Sequence, residues 1–272
     1  MNKHKNEHSE ERELEKIKAN SISQAQKTEE ESLKTKDWQS NIDLWTRGPT
    51  TTVPLDNVYG LGVKISSLGL SYYTGSSWVA VVLTAQIKDG TDYSKDHYVL
   101  QASIGYDTTY HPKYGYGVFD VDKQTWFSQN STGDKPLDDY WLQIFYNSTD
   151  QKWYLQVVDA TTSTIVWQYK FTDSYGGTQV RTAPYSVILQ DWADVESNDT
   201  DGSKFPSGFV IYFYYAQWMD SQQGWHSLSQ AYTSWHPQTP SNLYIQARSG
   251  STAERFGVLG SGTQSDDVLI NV

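Results

Sequence analysis

Tyr98-Val99-Leu100-Gln101-Ala102-Ser103-Ile104-Gly105-Tyr106-Asp107 has the alternation of a β-strand. Tyr98, Leu100, Ala102, Ile104 and Tyr106 recur at every second position, the period of a strand with one buried face. The alternate set, Val99, Gln101, Ser103 and Gly105, puts an amide in the middle of a more polar face. A glutamine behind an apolar or aromatic residue recurs at Gln86, Gln143, Gln156, Gln168, Gln190, Gln217 and Gln246. These amides either face solvent or line a working groove.

Similar runs lie on both sides. Strands are expected near 62–72, 78–88, 98–106, 117–121, 141–146, 153–159, 165–169, 185–191, 209–218, 242–247 and 268–272, separated by Gly, Asp, Asn, Ser and Pro. Asn147-Ser148-Thr149-Asp150 and the run from Asp159 to Thr164 read as hairpin turns. No helical pattern of ten residues follows residue 36, and no fixed-period repeat is present. The pattern predicts an all-β domain, an antiparallel β-sandwich of jelly-roll type, over residues 38–272. Residues 1–37 differ in composition. Only Leu14 and Ile17 give the stretch Ser9–Lys18 an apolar stripe, so this polar extension is expected to be disordered or marginally helical, a tail or propeptide-like segment.

Composition narrows the function classes. The 272 residues include no cysteine, which removes disulfides, thiolate zinc sites and cysteine nucleophiles. Eleven Trp and 20 Tyr favour strands. The net charge of −11 sits entirely in residues 37–272, where 13 Lys/Arg face 24 Asp/Glu. An acidic body repels phosphate backbones, so no nucleic-acid partner is expected. No run of 18 apolar residues offers a membrane span. Met1-Asn2-Lys3-His4-Lys5 has the charge of a signal-peptide start, but no apolar stretch follows. Either the chain is not exported by that route or its leader lies outside this sequence. A secreted or cell-surface location is the expectation.

Several chemistries find no support. There is no G-x-S-x-G elbow, no Asp-Thr-Gly or Asp-Ser-Gly, and no H-x-x-x-H spacing among the six histidines. No metal ligand set and no cofactor are expected. Asp191 to Gly202 carries oxygen ligands at alternate positions, as calcium loops do. Ser197 occupies the first ligand position and Gly208 stands where the closing glutamate belongs, so a solvated acidic loop is expected. Asn130, Asn147 and Asn198 each begin a glycosylation sequon.

The most informative pair is Gln101 with Asp191, in Ile188-Leu189-Gln190-Asp191-Trp192. A carboxylate can take a proton from water and return it to a leaving amine. A neighbouring amide can donate to the developing oxyanion while its oxygen orients the water. Such a pair needs neither metal nor thiol and suits acidic pH, where a carboxyl holds its proton.

Leu100-Gln101-Ala102-Ser103-Ile104-Gly105-Tyr106-Asp107 resembles the catalytic-glutamine strand of the eqolisins, the glutamic peptidases. Trp78-Val79-Ala80 stands about one strand upstream, where that family has Trp-Val-Gly. Gln190-Asp191-Trp192, followed by Asp194 and Glu196, resembles the family's Ala-Glu-Trp stretch. The resemblance implies a concanavalin-like sandwich of two curved sheets with Gln101 and a carboxylate on the concave face. A second resemblance, to the thermopsins, archaeal acid-acting endopeptidases, rests on Gly60–Ile65, Tyr98–Gln101, Ala216–Asp220, Gly224–His226 and Gln230–Tyr232.

Together these imply an acid-acting endopeptidase with Gln101 and Asp191 catalytic. Trp141, Trp153, Trp192, Gln190, Trp218 and Glu196 are the expected binding residues. The family's glutamate falls on Asp191, or on Gln190 if the register slips by one. Alternation leaves the facing open, since Asp191 shares a face with Tyr185, Val187 and Leu189. If Gln190 faces the groove, the carboxylate is missing and the domain is a binding relative. The alternative function is a non-catalytic carbohydrate-binding or cell-surface module, with amides bonding hydroxyls and Trp141, Trp153, Trp167 and Trp218 stacking on sugar rings. The partner is then a polypeptide or a glycan. A glycoside-cleaving site needs two carboxylates across a cleft, and no E-x-D-x-x-E-like strand supplies them.

Overall fold

A computed structural model describes residues 38–43, 58–89, 92–107, 113–126, 129–130, 136–174, 177, 179–180, 191–227, 230–235, 240–248, 255–260 and 268–271. All fall in one compact unit, Asp37–Val272. The expected tail over 1–37 lies outside the described residues.

The strands are, in chain order, β1 (Trp38–Asp43), β2 (Gly60–Ser66), β3 (Trp78–Asp89), β4 (Asp92–Asp107), β5 (Lys113–Asp120), β6 (Thr125–Trp126), β7 (Gln129–Asn130), β8 (Asp139–Asn147) and β9 (Lys152–Asp159). They continue with β10 (Ile165–Phe171), β11 (Asp191–Ser197), β12 (Val210–Met219), β13 (Trp225–Ser227), β14 (Gln230–Trp235), β15 (Tyr244–Arg248), β16 (Arg255–Leu259) and β17 (Val268–Asn271). They form two antiparallel sheets. The nine-stranded sheet runs β17-β14-β1-β11-β3-β4-β5-β6, with β7 also on β5. The eight-stranded sheet runs β10-β9-β8-β2-β12-β16-β15, with β13 also on β12. The chain is an all-β sandwich, as its alternation predicts.

Each sheet turns one face inward. From the nine-stranded sheet come Val81, Leu83, Ala85, Leu100, Ala102, Val118, Ala193 and Val195, all fully buried. From the other come Val63, Ile65, Leu142, Ile144, Trp153, Leu155, Val157 and Ile211. Each large side chain removed from water stabilises the fold by roughly 1.5–3 kcal/mol. Aromatic rings close one end. Tyr116 of β5 stacks on Tyr169 of β10 at 3.8 Å between centroids, and Tyr98 of β4 meets Phe171 edge-on at 4.6 Å. The expected turns form as Asx turns. Asn147 Oδ1 accepts from the Thr149 amide at 2.9 Å, and Asp159 Oδ1 accepts from Thr161 and Thr162.

Two expectations change. The run expected as a strand over 62–72 is β2 followed by a 3-10 turn, Leu68–Tyr72. A Cβ at Gly69 would come within 2.0 Å of the Val210 carbonyl, so only glycine lets this turn pack against the start of β12. The acidic stretch expected as a solvated loop begins as β11, an interior strand between β1 and β3. Ala193 and Val195 alternate into the core, and that burial overrides the acidic composition. The expected strand over 185–191 lies outside the described residues except for Asp191, the first residue of β11.

Candidate functional site

The outer face of the nine-stranded sheet is built by the residues that alternate with the core. Val82, Thr84 and Ala80 of β3, at 4%, 6% and 8% exposure, form the floor of this face between β4 and β11. In register beside them stand Ser103, Gln101 and Gly105 of β4, paired with Val82, Thr84 and Ala80 respectively. On the other side Asp194 and Glu196 of β11 pair with Val82 and Ala80. The side chains of this patch are small or polar, whereas the inner face of the same strands is apolar except at Ser197, at the end of β11.

Gln101 is partly buried on this face. Its amide nitrogen donates to Thr84 Oγ1 at 3.5 Å. Its partner on β5 is Gly117. A Cβ there would sit 3.1 Å from Gln101 Oε1 and 2.9 Å from the Trp126 ring. The glycine therefore leaves room for the amide oxygen and for an indole that is 51% exposed and tilted against Phe119 at 4.9 Å. Trp126 is not among the residues expected from the sequence. The signal for it is the outer-facing Gly117, whose missing side chain leaves space for its ring.

Asp194 is a carboxylate at 1% exposure on the same outer face, and Glu196 is half-buried beyond it. Sheet spacings put Asp194 about 12 Å diagonally from Gln101, two strands and two residues away. Asp191 begins the same strand. On the β1 side, Ala193 pairs with Ile42 and Asp191 with Asp43, so Trp192 is the extra residue of a register shift. Bulges of this kind re-aim side chains. The side chains of Asp191 and Trp192, and all of Gln190, lie outside the described residues. Past β11 the carboxylates build turns. Asp199 Oδ1 accepts from the Asp201 amide at 3.1 Å, and Asp201 Oδ1 accepts from the Ser203 amide at 3.0 Å. Hydrogen bonding from the Ser203 side chain, and then from its amide, holds the Asp201 carboxyl below the usual range. Among the described residues no group of three or more acidic or histidine side chains is arranged to hold a metal.

The expected tryptophans do not gather at Gln101. Trp153 is fully buried and Trp218 is 7% exposed, both in the core cluster, so they pack the sandwich and present no ring to a ligand. Trp167 packs inward on Tyr116 at 5.2 Å. Trp141 lies on the outer face of the eight-stranded sheet, across the core from Gln101. His226 stacks on Trp218 at 4.6 Å and its Nε2 lies 2.6 Å from Asp220 Oδ2. That hydrogen bond, followed by one from the Gly224 amide, keeps the Asp220 carboxyl below its ordinary range.

No family model matches the chain, and no curated protein does. Among solved structures it is similar to scytalido-glutamic peptidase bound to a peptide-based transition-state analogue. That match has 12% identity, covers 81% of this chain and 97% of the other, and has a TM-score of 0.42. SCP-B, a member of the eqolisin family in complex with the tripeptide Ala-Ile-His, matches at 11% identity over 82% of this chain and 98% of its own, with a TM-score of 0.45. The CBM2 module of the evolved Dit of Lactobacillus casei BL23 phage J-1 matches at 8% identity over 81% and 68%, with a TM-score of 0.34.

Proposed function

We propose that this chain is an acid-acting endopeptidase of eqolisin or thermopsin type whose groove is the outer face of the nine-stranded sheet. The observation that carries the reading is the setting of Gln101. An interior-strand amide, steadied by Thr84 and given clearance by Gly117, faces a patch that also bears β11 carboxylates.

In this reading a substrate strand lies over the small residues of β3, between Gln101 and β11. Two strand spacings, about 10 Å, separate the two sides. Asp191 lies two residues before Ala193, the partner of Leu83, and so stands near the level of Thr84 and Gln101. Asp191 takes the proton from water as general base and then returns it to the leaving amine. Gln101 Nε2 donates to the oxyanion as the carbonyl becomes tetrahedral. Trp126 is a platform for a substrate side chain. A second assignment of the base, Asp194, is favoured by its burial on the outer face.

The test is incubation with a denatured protein substrate across pH 2–7, with the new peptide termini identified by mass spectrometry. Internal cleavage at acid pH is expected. Absence of cleavage throughout the range sinks the proposal.

A further inference from the structure

We infer that the outer face of the eight-stranded sheet, across the core from Gln101, is a binding site for a neutral glycan. The inference stands apart from the peptidase reading, because none of its residues belongs to the Gln101 face.

A row of amides crosses this face at right angles to the strands. Gln168 pairs with Gln156, Gln156 with Gln143, Gln143 with Gly62 and Gly62 with Gln217, so five neighbouring strands contribute one level. Gln168 Nε2 donates to Gln156 Oε1 at 2.8 Å, and Gln156 Nε2 donates to Gln143 Oε1 at 2.6 Å. The row is about 19 Å long at ordinary strand spacing. Its ends keep amide groups that can donate to and accept from hydroxyls.

Aromatic rings wall the row on both sides. Trp141 and Tyr215 lie near-parallel on one side, 6.3 Å apart at 29°. Phe145 stacks on Tyr154 at 5.2 Å on the other, and Trp225 meets Phe145 edge-on. Trp225 also crosses Gly62, where a Cβ would come within 3.1 Å of its ring. The glycine gap in the row is therefore filled by an indole.

Tyr215 separates a binding channel from ordinary surface packing. It occupies the register break of β12, has φ 49, and is 46% exposed. Left-handed backbone at a bulky residue is strained, and such strain concentrates at functional positions. Here its result is a ring held at the surface beside Trp141. A hydrogen-bonded amide ladder needs no such ring.

Charge selects the ligand. Of the cations on this face, Lys64 pairs with Asp139 at 2.9 Å and Lys170 with Asp150 at 3.5 Å, while Lys152 stands at the far margin, two residues before Tyr154. The row between them is uncharged. Amides along a floor and ring faces along the walls match the hydroxyls and apolar faces of sugar rings, and the absence of net charge in the row matches a neutral polysaccharide.

Native electrophoresis of the full chain in gels containing laminarin, hydroxyethyl cellulose, glucomannan or soluble starch tests this, with dextran sulfate as the charged comparison. At least one neutral polysaccharide should retard the protein. Trp141→Ala and Tyr215→Gly should each weaken that retardation at least tenfold. Glycine suits the backbone at 215, so Tyr215→Gly removes the ring while the melting transition is retained, and that transition is measured alongside. Four outcomes overturn the inference: no retardation by any neutral polysaccharide, retardation only by dextran sulfate, retardation unchanged in both folded variants, or a dimer in solution that Tyr215→Gly abolishes, which makes the face a contact between copies.

Discussion

The Gln101 amide nitrogen donates to the Thr84 hydroxyl at 3.5 Å, across directly paired positions of two interior strands. This contact is long for a hydrogen bond, so it steers the amide more than it binds it. Thr84→Val keeps the shape and removes the acceptor. A neutral hydrogen bond is worth about 1 kcal/mol, so kcat on a peptide substrate should fall about fivefold with KM little changed. Thr84→Ser should restore it. Loss of KM alone would mean that Thr84 contacts substrate and does not steer Gln101.

Gly117→Ala probes the same amide from its other side. The added methyl meets Gln101 Oε1 at 3.1 Å and the Trp126 ring at 2.9 Å, both ends of side chains that can give way. The fold should survive, and the amide should move. A displacement approaching 1 Å costs ~10²-fold in rate, so activity should drop by one to two orders of magnitude with only a small change in melting temperature. An unchanged rate would show that Gln101 does not need its present position.

Trp153 tests the core assignment. It is fully buried between the sheets beside Leu155 and Val157. Trp153→Ala should cost about 3–5 kcal/mol of stability in a denaturant titration. A variant as stable as the parent would return Trp153 to the surface role that its sequence suggested.

Tyr73 sets an alkaline limit on stability. Burial, the largest cause, pushes its hydroxyl up to about 12, and the nearby Asp199 charge adds to this while a bond from Ser197 opposes it. The folded state holds this proton more tightly than the unfolded chain, whose tyrosines titrate near 10. The contribution is therefore fully present below pH ~10 and is lost as pH rises toward 12, by roughly 2 kcal/mol at most. Unfolding titrations at pH 9–12 should show this decline, and Tyr73→Phe should flatten it. An equal decline in the variant would place its origin elsewhere.

The strand pattern of the sandwich was legible because alternation is local. Tyr98, Leu100, Ala102 and Ile104 are buried, as their period required, and the amide between them faces away. Two things were not local. The acidic run at 191–197 reads as a loop by composition, but its interior position comes from pairing with β1 and β3, more than a hundred residues away. Which tryptophans face out was equally hidden. Trp141 and Trp153 sit in similar aromatic strands, yet they pair across a hairpin in which Tyr146, and not Trp141, opposes Trp153. A shift of one residue reverses a strand's faces, and the register shift at Trp192 is why Asp191 could not be assigned a face from alternation.

Gln101 and a β11 carboxylate form the proposed catalytic pair, and a comparison of rates separates their roles. Steady-state cleavage of a single peptide, taken from a site cut in the denatured substrate, is measured at the acid optimum for the parent chain and for Gln101→Ala, Asp191→Ala and Asp194→Ala. Losing the oxyanion donor should lower kcat by ~10²–10³-fold, and losing the base by ~10²–10⁴-fold, in Asp191→Ala or, if the buried carboxylate serves, in Asp194→Ala. A Gln101→Ala chain that folds and cleaves at the parental rate would contradict the claim.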